Sequence, residues 1–210
     1  MGSMFDEVLR EDDIQILRAL PETITESFYL AGGTALALQI GHRYSFDFDF
    51  FSIEEFSTLQ LKNELTRLGA FSLFQESKGT LEGRINQTRM TYLYYPYALL
   101  HNTIHYQNLR LAAVMDIALM KLSALSGRGS KKDFIDLYFL KELIRWGDLI
   151  QDFDKKYQGS GYNLYHLIKS LAYFTDAQNE PDLHMIKPYQ WEEVEDYFKQ
   201  AQIQLTKKYL

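Results

Sequence analysis

Two aspartates separated by one residue, Asp47 and Asp49, lie in the run Ser45-Phe46-Asp47-Phe48-Asp49-Phe50-Phe51. The alternation predicts a strand over 45–51, with Phe46, Phe48 and Phe50 on one face. Both carboxylates then share the other face, their Cα atoms ~6.5–7 Å apart. Asp is depleted in strands, and like charges on one face repel. A hard divalent cation offsets that repulsion, because Mg²⁺ takes carboxylate oxygens together with substrate phosphates. Metal-assisted phosphoryl or nucleotidyl transfer needs such a pair. An ordinary strand with one solvated face gives the same tripeptide, and these residues alone leave both readings open.

Other residue groups could complete a phosphate-handling site. Gly32-Gly33-Thr34 joins the short apolar run 27–30 to the helical pattern 34–42. Glycines permit close backbone approach, and a helix N-terminus attracts an anion; a plain turn with a Thr N-cap is the simpler alternative. His42 and Arg43 precede the aspartate strand, where they either position phosphate or end the helix. Lys121 interrupts an apolar helix containing Met120, Leu122, Ala124 and Leu125, and Arg128 follows seven residues later. If the helix reaches that far, both cations share a face. A buried Lys needs an anionic partner, which a triphosphate would supply; a snorkelling Lys is the alternative. Asp133 and Asp136 open the next helix, where acidic residues also serve as caps.

Two blocks carry a family resemblance. Leu30-Ala31-Gly32-Gly33-Thr34-Ala35-Leu36-Ala37-Leu38, followed by Gly41 to Phe51, resembles the AbiEii/AbiGii-type nucleotidyltransferase toxins of the DNA polymerase β-like superfamily. The second block, Asp116 to Leu125, Arg128 and Lys132-Asp133-Phe134-Ile135-Asp136-Leu137, looks like that family's downstream Lys…Arg…Asp-x-x-Asp-Leu pattern. The resemblance implies transfer of a nucleoside monophosphate from an NTP to an acceptor hydroxyl. Asp47 and Asp49 would hold Mg²⁺ (or Mn²⁺), and Gly32, Gly33, Thr34, Arg43, Ser45, Lys121 and Arg128 would bind the nucleotide. Asp47, Asp49, Lys121 and Asp133 would form the catalytic set, with Asp133 or Asp136 acting as a base or as organiser of the cations. It further implies an RNA (tRNA) acceptor and a cognate antitoxin, whereas the expectation of a cytoplasmic setting comes from composition.

One departure from the superfamily pattern is visible. Many members carry a third carboxylate on a later strand, but Arg89 to Tyr95 contains no acid, and Glu82 beside Gly83 is a poor substitute. A catalytically silent nucleotide-binding or interaction module on the same fold is therefore the alternative. A small-molecule nucleotidyltransferase, of the kind that modifies antibiotics, is another, since net acidity suits a cationic substrate. His101 and His105 are four apart but lack a nearby acidic ligand, and are read as non-metal. The tyrosines at 92, 94, 95 and 97 read as core with polar tips.

The elements that must position these groups follow from periodicity. Helix is expected over 5–20 (closed by Pro21), 34–42 and 54–68 (capped by Gly69). Strands are expected at 27–30, 45–51, 71–76, 81–86, 89–95 and 108–112. From Asp116 onward the pattern is helical: 116–126, 132–146, 148–157, 163–175 and 191–208. The expected fold is α+β, with a mixed-sheet nucleotidyltransferase-like core over 1–114 and a helical region over 115–210.

Composition sets outer limits. The chain has 210 residues, 46% of them hydrophobic and 24% charged, which suits a globular core. Cys is absent, which excludes disulfides, thiolate metal sites and a Cys nucleophile. Met1-Gly2-Ser3 reads as an expression remnant, no leader pattern follows it, and no apolar run is long enough to span a membrane. The net charge of −6 is uneven. Residues 107–146 hold 7 basic and 4 acidic groups, whereas residues 147–198 hold 4 basic and 10 acidic. Broad coating of nucleic acid is thus disfavoured, while a local anion site is not.

Overall fold

The computed structural model describes residues 4–210; Met1-Gly2-Ser3 lie outside the described residues. The chain divides into two compact units, Met1–Val114 and Met115–Leu210. The first is built on a seven-stranded mixed sheet of order β3-β4-β5-β2-β1-β7-β6. Its strands are β1 (Tyr29–Ala31), β2 (Asp47–Ser52), β3 (Phe71–Ser77), β4 (Thr80–Ile85), β5 (Thr88–Tyr94), β6 (Ile104–Tyr106) and β7 (Leu109–Leu111). Strand β2 runs antiparallel to β1 and parallel to β5. Phe48, Phe50, Leu81, Met90 and Tyr92 fill the buried face, with Phe50 and Tyr92 stacked at 4.8 Å. Burial pushes the Tyr92 hydroxyl well above its usual pKa.

Helix α3 (Gly32–Ile40) packs on β1 and β2, and α4 (Thr58–Leu68) packs on β3 and β4. Nearly all of α3 is buried, so its sequence is apolar around the whole circumference. Ser57 caps α4 by accepting from the Gln60 N–H at 3.3 Å, which is why the helix starts later than residue 54. Gly69 ends it in extended backbone rather than a left-handed cap.

The segment 5–20 is not one helix. A 3₁₀ turn (Asp6–Val8) precedes α1 (Glu11–Ala19). The break is set by Asp13, whose buried carboxylate accepts from the Arg10 backbone N–H at 3.3 Å, the Arg10 guanidinium at 2.8 Å and Thr88 Oγ1 at 2.6 Å. Pro21 closes α1 and also opens a further helix, α2 (Glu22–Ser27), because its fixed φ suits a helix start. Strand β6, unforeseen from the sequence, forms a hairpin with β7 through Gln107, whose φ is 53°.

The second unit is helical throughout: α5 (Val114–Arg128), α6 (Lys131–Tyr138), α7 (Trp146–Lys156), α8 (Leu164–Ser170), α9 (Thr175–Gln178) and α10 (Trp191–Tyr209). The expected helix 132–146 stops at Tyr138. A turn then buries Leu140 and Ile144 while leaving Leu143 exposed. Residues 163–175 likewise split into α8 and α9. Phe134 of α6 meets Phe198 of α10 at 5.0 Å, and Lys156 pairs with Asp116 at 2.8 Å with both side chains fully buried.

Candidate active site

In the first unit the site grows from one close approach. Strand β1 ends at Ala31, and α3 begins at once with Gly32 at φ +69°. A Cβ on Gly32 would stand 2.5 Å from Asp49 Oδ2; one on Gly33 would stand 2.1 Å from Arg43 Nη2 and 3.2 Å from Ser45 Oγ. Only glycine fits between the carboxylate and the guanidinium. The N-cap residue Ala31 offers no side-chain acceptor, and the positive end of the α3 dipole lies beside Asp49.

Around this turn the sequence candidates take distinct places. Thr34 is buried; its hydroxyl donates to the Asp47 carbonyl at 2.5 Å and lies 2.9 Å from Ser45 Oγ, so it ties α3 to the start of β2. Arg43 is buried too and donates to the Tyr44 carbonyl at 3.0 Å. Asp47 is exposed and Asp49 half-buried, on the face opposite Phe48 and Phe50 as alternation demands. Phe46 departs from that alternation: it precedes the strand and lies on the surface under the Arg10 guanidinium, 5.0 Å from the ring centre.

The neighbouring strands add groups that sequence reading missed or discounted. Across the β2–β5 register Asp47 faces Arg89 and Asp49 faces Thr91. Across β5–β4, Thr91 faces Glu82 and Arg89 faces Arg84. Cross-strand partners share a face, so Asp47, Asp49, Arg89, Arg84 and Glu82 all stand on one side of the sheet. Arg89 forms an ion pair with Glu82 through Nη2 and donates from Nε at 2.9 Å. The hydrogen bond and charge of Glu82 raise its pKa against the cost of burial, helped by Asp47 and Asp49. The signal for Arg89 was its parity with Thr91; without the strand order it had no partner.

In the second unit α5 does extend to Arg128, and both of its cations converge on one carboxylate. Lys121 Nζ reaches Asp133 Oδ1 at 2.9 Å and Asp136 Oδ2 at 2.7 Å. Arg128 Nε donates to Asp133 Oδ2 at 2.9 Å and Ser130 Oγ donates there at 3.1 Å. Burial opposes ionisation of Asp133, but Lys121 and Arg128 outweigh it and hold the carboxyl below its ordinary value. Lys121 is 7% exposed and Arg128 57%. The second block is therefore an organised ion-pair network.

Residues 15–111 match the family described as "Nucleotidyl transferase AbiEii toxin, Type IV TA system". The "Uncharacterized protein aq_aa25" of Aquifex aeolicus (strain VF5) is 39% identical over 193 residues, covering 89% of this chain and 90% of its own. The chain belongs to the AbiEii-type nucleotidyltransferase toxin superfamily. Solved structures share the superfamily fold. The nucleotidyltransferase toxin MenT4 (Rv2826c) of Mycobacterium tuberculosis H37Rv is similar at TM-score 0.57 and 14% identity, over 94% of this chain and 86% of that one. JHP933 of Helicobacter pylori is similar at TM-score 0.52 and 16% identity, over 95% and 94%. Among the described residues no helix is long and apolar enough to cross a membrane. Nor, among them, do three His, Asp or Glu side chains group closely enough to hold a metal ion.

Proposed function

We propose that this AbiEii-type chain transfers a nucleoside monophosphate from an NTP to an acceptor hydroxyl, with pyrophosphate leaving. The observation that carries the reading is the abutment of the Gly32-Gly33 helix start against Asp49, two residues along β2 from Asp47. The two glycines let the Asp49 carboxylate and the Arg43 guanidinium close onto the helix start, so a group for a hard cation and a fixed positive charge for phosphate adjoin there. Asp47 and Asp49 would hold Mg²⁺ or Mn²⁺, which when bound neutralises phosphate charge and polarises the phosphorus under attack. Gly32 and Gly33 bind phosphate through backbone N–H groups. Thr34, Arg43 and Ser45 hold the turn and β2 in place. The family resemblance supports a role for Lys121 and Arg128 in supplying positive charge for the nucleotide, with Asp133 and Asp136 orienting them. The acceptor class is RNA, a tRNA end included. Family membership supports a cognate antitoxin as partner, and the setting is cytoplasmic.

The test is transfer of α-³²P label from each NTP, with Mg²⁺, into total RNA. Incorporation from at least one nucleotide, abolished by Asp47→Asn, is expected; no incorporation from any of the four rejects RNA as acceptor. Calorimetry with NTP and Mg²⁺ giving equal affinity for wild type and Asp47→Ala would remove the metal role. The engagement of Glu82 by Arg89 favours a second reading, a nucleotide-binding module without turnover. Its signature is Asp47-dependent NTP binding with no label transferred to RNA or to hydroxylated small molecules.

A further inference from the structure

The acid-bearing face of the first unit contains a fixed cation where a further metal ligand would be useful. Arg89 stands directly across from Asp47, and Thr91, the next residue on its face, stands between Asp49 and Glu82. The Arg89 guanidinium turns to Glu82, the remaining carboxylate of that patch. Ordinary structural explanations for this pairing are weak. The Arg89 side chain is 53% exposed, and exposed ion pairs contribute little stability. Arg89 also faces Arg84 directly across the β4–β5 ladder, so two guanidinium groups stand on the face that bears the aspartates. The irregularity in β3 between Leu73 and Gln75 brings Phe74 under both guanidinium groups, at 5.8 Å from Arg84 and 5.9 Å from Arg89. A cation–π seat of this kind holds a guanidinium in place without neutralising it.

We propose that Arg89 is a built-in counter-cation of the Asp47–Asp49 face, which restricts that face to a single divalent ion and withholds Glu82 from it. This rests on the metal reading of Asp47 and Asp49 given above. Arg89 is a positioning residue: it acts through the charge it presents to the aspartates and through the carboxylate it engages. Two opposite consequences follow. Without Arg89, the face loses a positive charge and regains a carboxylate, so it binds divalent cation more strongly or takes a second ion. Without the Glu82 charge, the Arg89 guanidinium is left to Asp47 and Asp49 alone, so cation binding weakens. A pair that only holds β4 to β5 would lower the melting temperature of both variants and leave the number of bound ions unchanged.

The experiment is titration of the full chain with Mn²⁺ alone, reading free Mn²⁺ by electron paramagnetic resonance, for wild type, Asp47→Asn, Arg89→Ala, Arg89→Lys and Glu82→Gln. Wild type is expected to bind one ion in an Asp47-dependent manner. Arg89→Ala should bind at least about fivefold more tightly or take a second ion, from removal of one repelling charge nearby. Arg89→Lys should match wild type, and Glu82→Gln should bind several-fold more weakly. Thermal melts show whether each variant is folded, and the charge-retaining Arg89→Lys is the arm that survives if Arg89→Ala fails to fold. In that event, stronger binding by Arg89→Lys together with Glu82→Gln unchanged overturns the proposal. It is also overturned if folded Arg89→Ala binds Mn²⁺ with wild-type stoichiometry and affinity, or if both variants shift the same way. No Asp47-dependent Mn²⁺ binding in wild type would instead overturn the metal reading itself.

Discussion

Lys121 is held by two buried carboxylates, and that arrangement decides what its removal does. Lys121→Met removes the ammonium that two buried carboxylates share, leaving Asp133 to Arg128 and Ser130; breaking a buried pair in this way costs about 3–5 kcal/mol. Arg128→Met removes a half-exposed partner of the same Asp133 and should cost about 1 kcal/mol or less. Urea denaturation of the two variants checks the contrast. The same network gives a pH signature. The folded-state pKa of Asp133 lies below its ordinary value of 3.8, so its contribution to stability is complete above about pH 4 and disappears as pH falls through the depressed value. Chemical denaturation from pH 7 down to pH 2.5 should show an acid loss that is smaller in Asp133→Asn, a variant already less stable at neutral pH. These effects were only partly legible in sequence. Residue spacing put Lys121 and Arg128 on one face, but not the fact that both would converge on Asp133, because ion pairing depends on how α6 returns beside α5.

At the scale of elements, the strand–glycine–helix junction sets the tolerance of the site. Gly32→Ala would impose a left-handed residue with a Cβ against Asp49, and Gly33→Ala would push Arg43 aside. Each should lower nucleotidyl transfer by about 10²-fold, since displacements near 1 Å at reacting groups have that effect. Thr34→Val removes the link to the Asp47 carbonyl and should cost about 1–2 kcal/mol by thermal melt, as expected for an orphaned buried acceptor. Here the sequence was more informative: glycine placement and the Phe/Asp alternation point directly to a turn meeting a carboxylate face. Phe46 is the exception, because the alternation of residue types continues one residue past the end of the hydrogen-bonded strand. The turn at Asp6–Val8 and α1 read as one helix, because apolar spacing does not reveal the Asp13 clamp, and α2 was not foreseen, its last residue Ser27 reading as the start of a strand. Strand β6, three residues long, was too short to show a period.

For the whole molecule, charge is divided between the units. Residues 1–114 hold 9 basic and 14 acidic groups, and residues 115–210 hold 13 and 14. Neither unit carries a net positive charge. If RNA is the acceptor, few of its phosphates are neutralised by protein. Its affinity in fixed Mg²⁺ should then fall by no more than about tenfold between 50 and 200 mM salt, measured by fluorescence anisotropy with a labelled RNA. A steeper dependence would indicate an extended basic surface.

The strand order also dictates when the acid face acquires its frame. Strands β3, β4 and β5 form a meander of neighbours in sequence, whereas β1 acquires its outer partner only when Leu30 pairs with Leu111. Local hairpins close quickly, and pairings between distant segments are slow because the intervening chain must first be ordered. During synthesis, a nascent chain that ends before residue 111 has β1 with one open edge, and with it the strand that abuts the aspartates. Pulsed hydrogen exchange during refolding should therefore protect β4 and β5 amides ahead of those in β1. The chemistry-bearing corner of the sheet is among the last parts of its unit to become rigid.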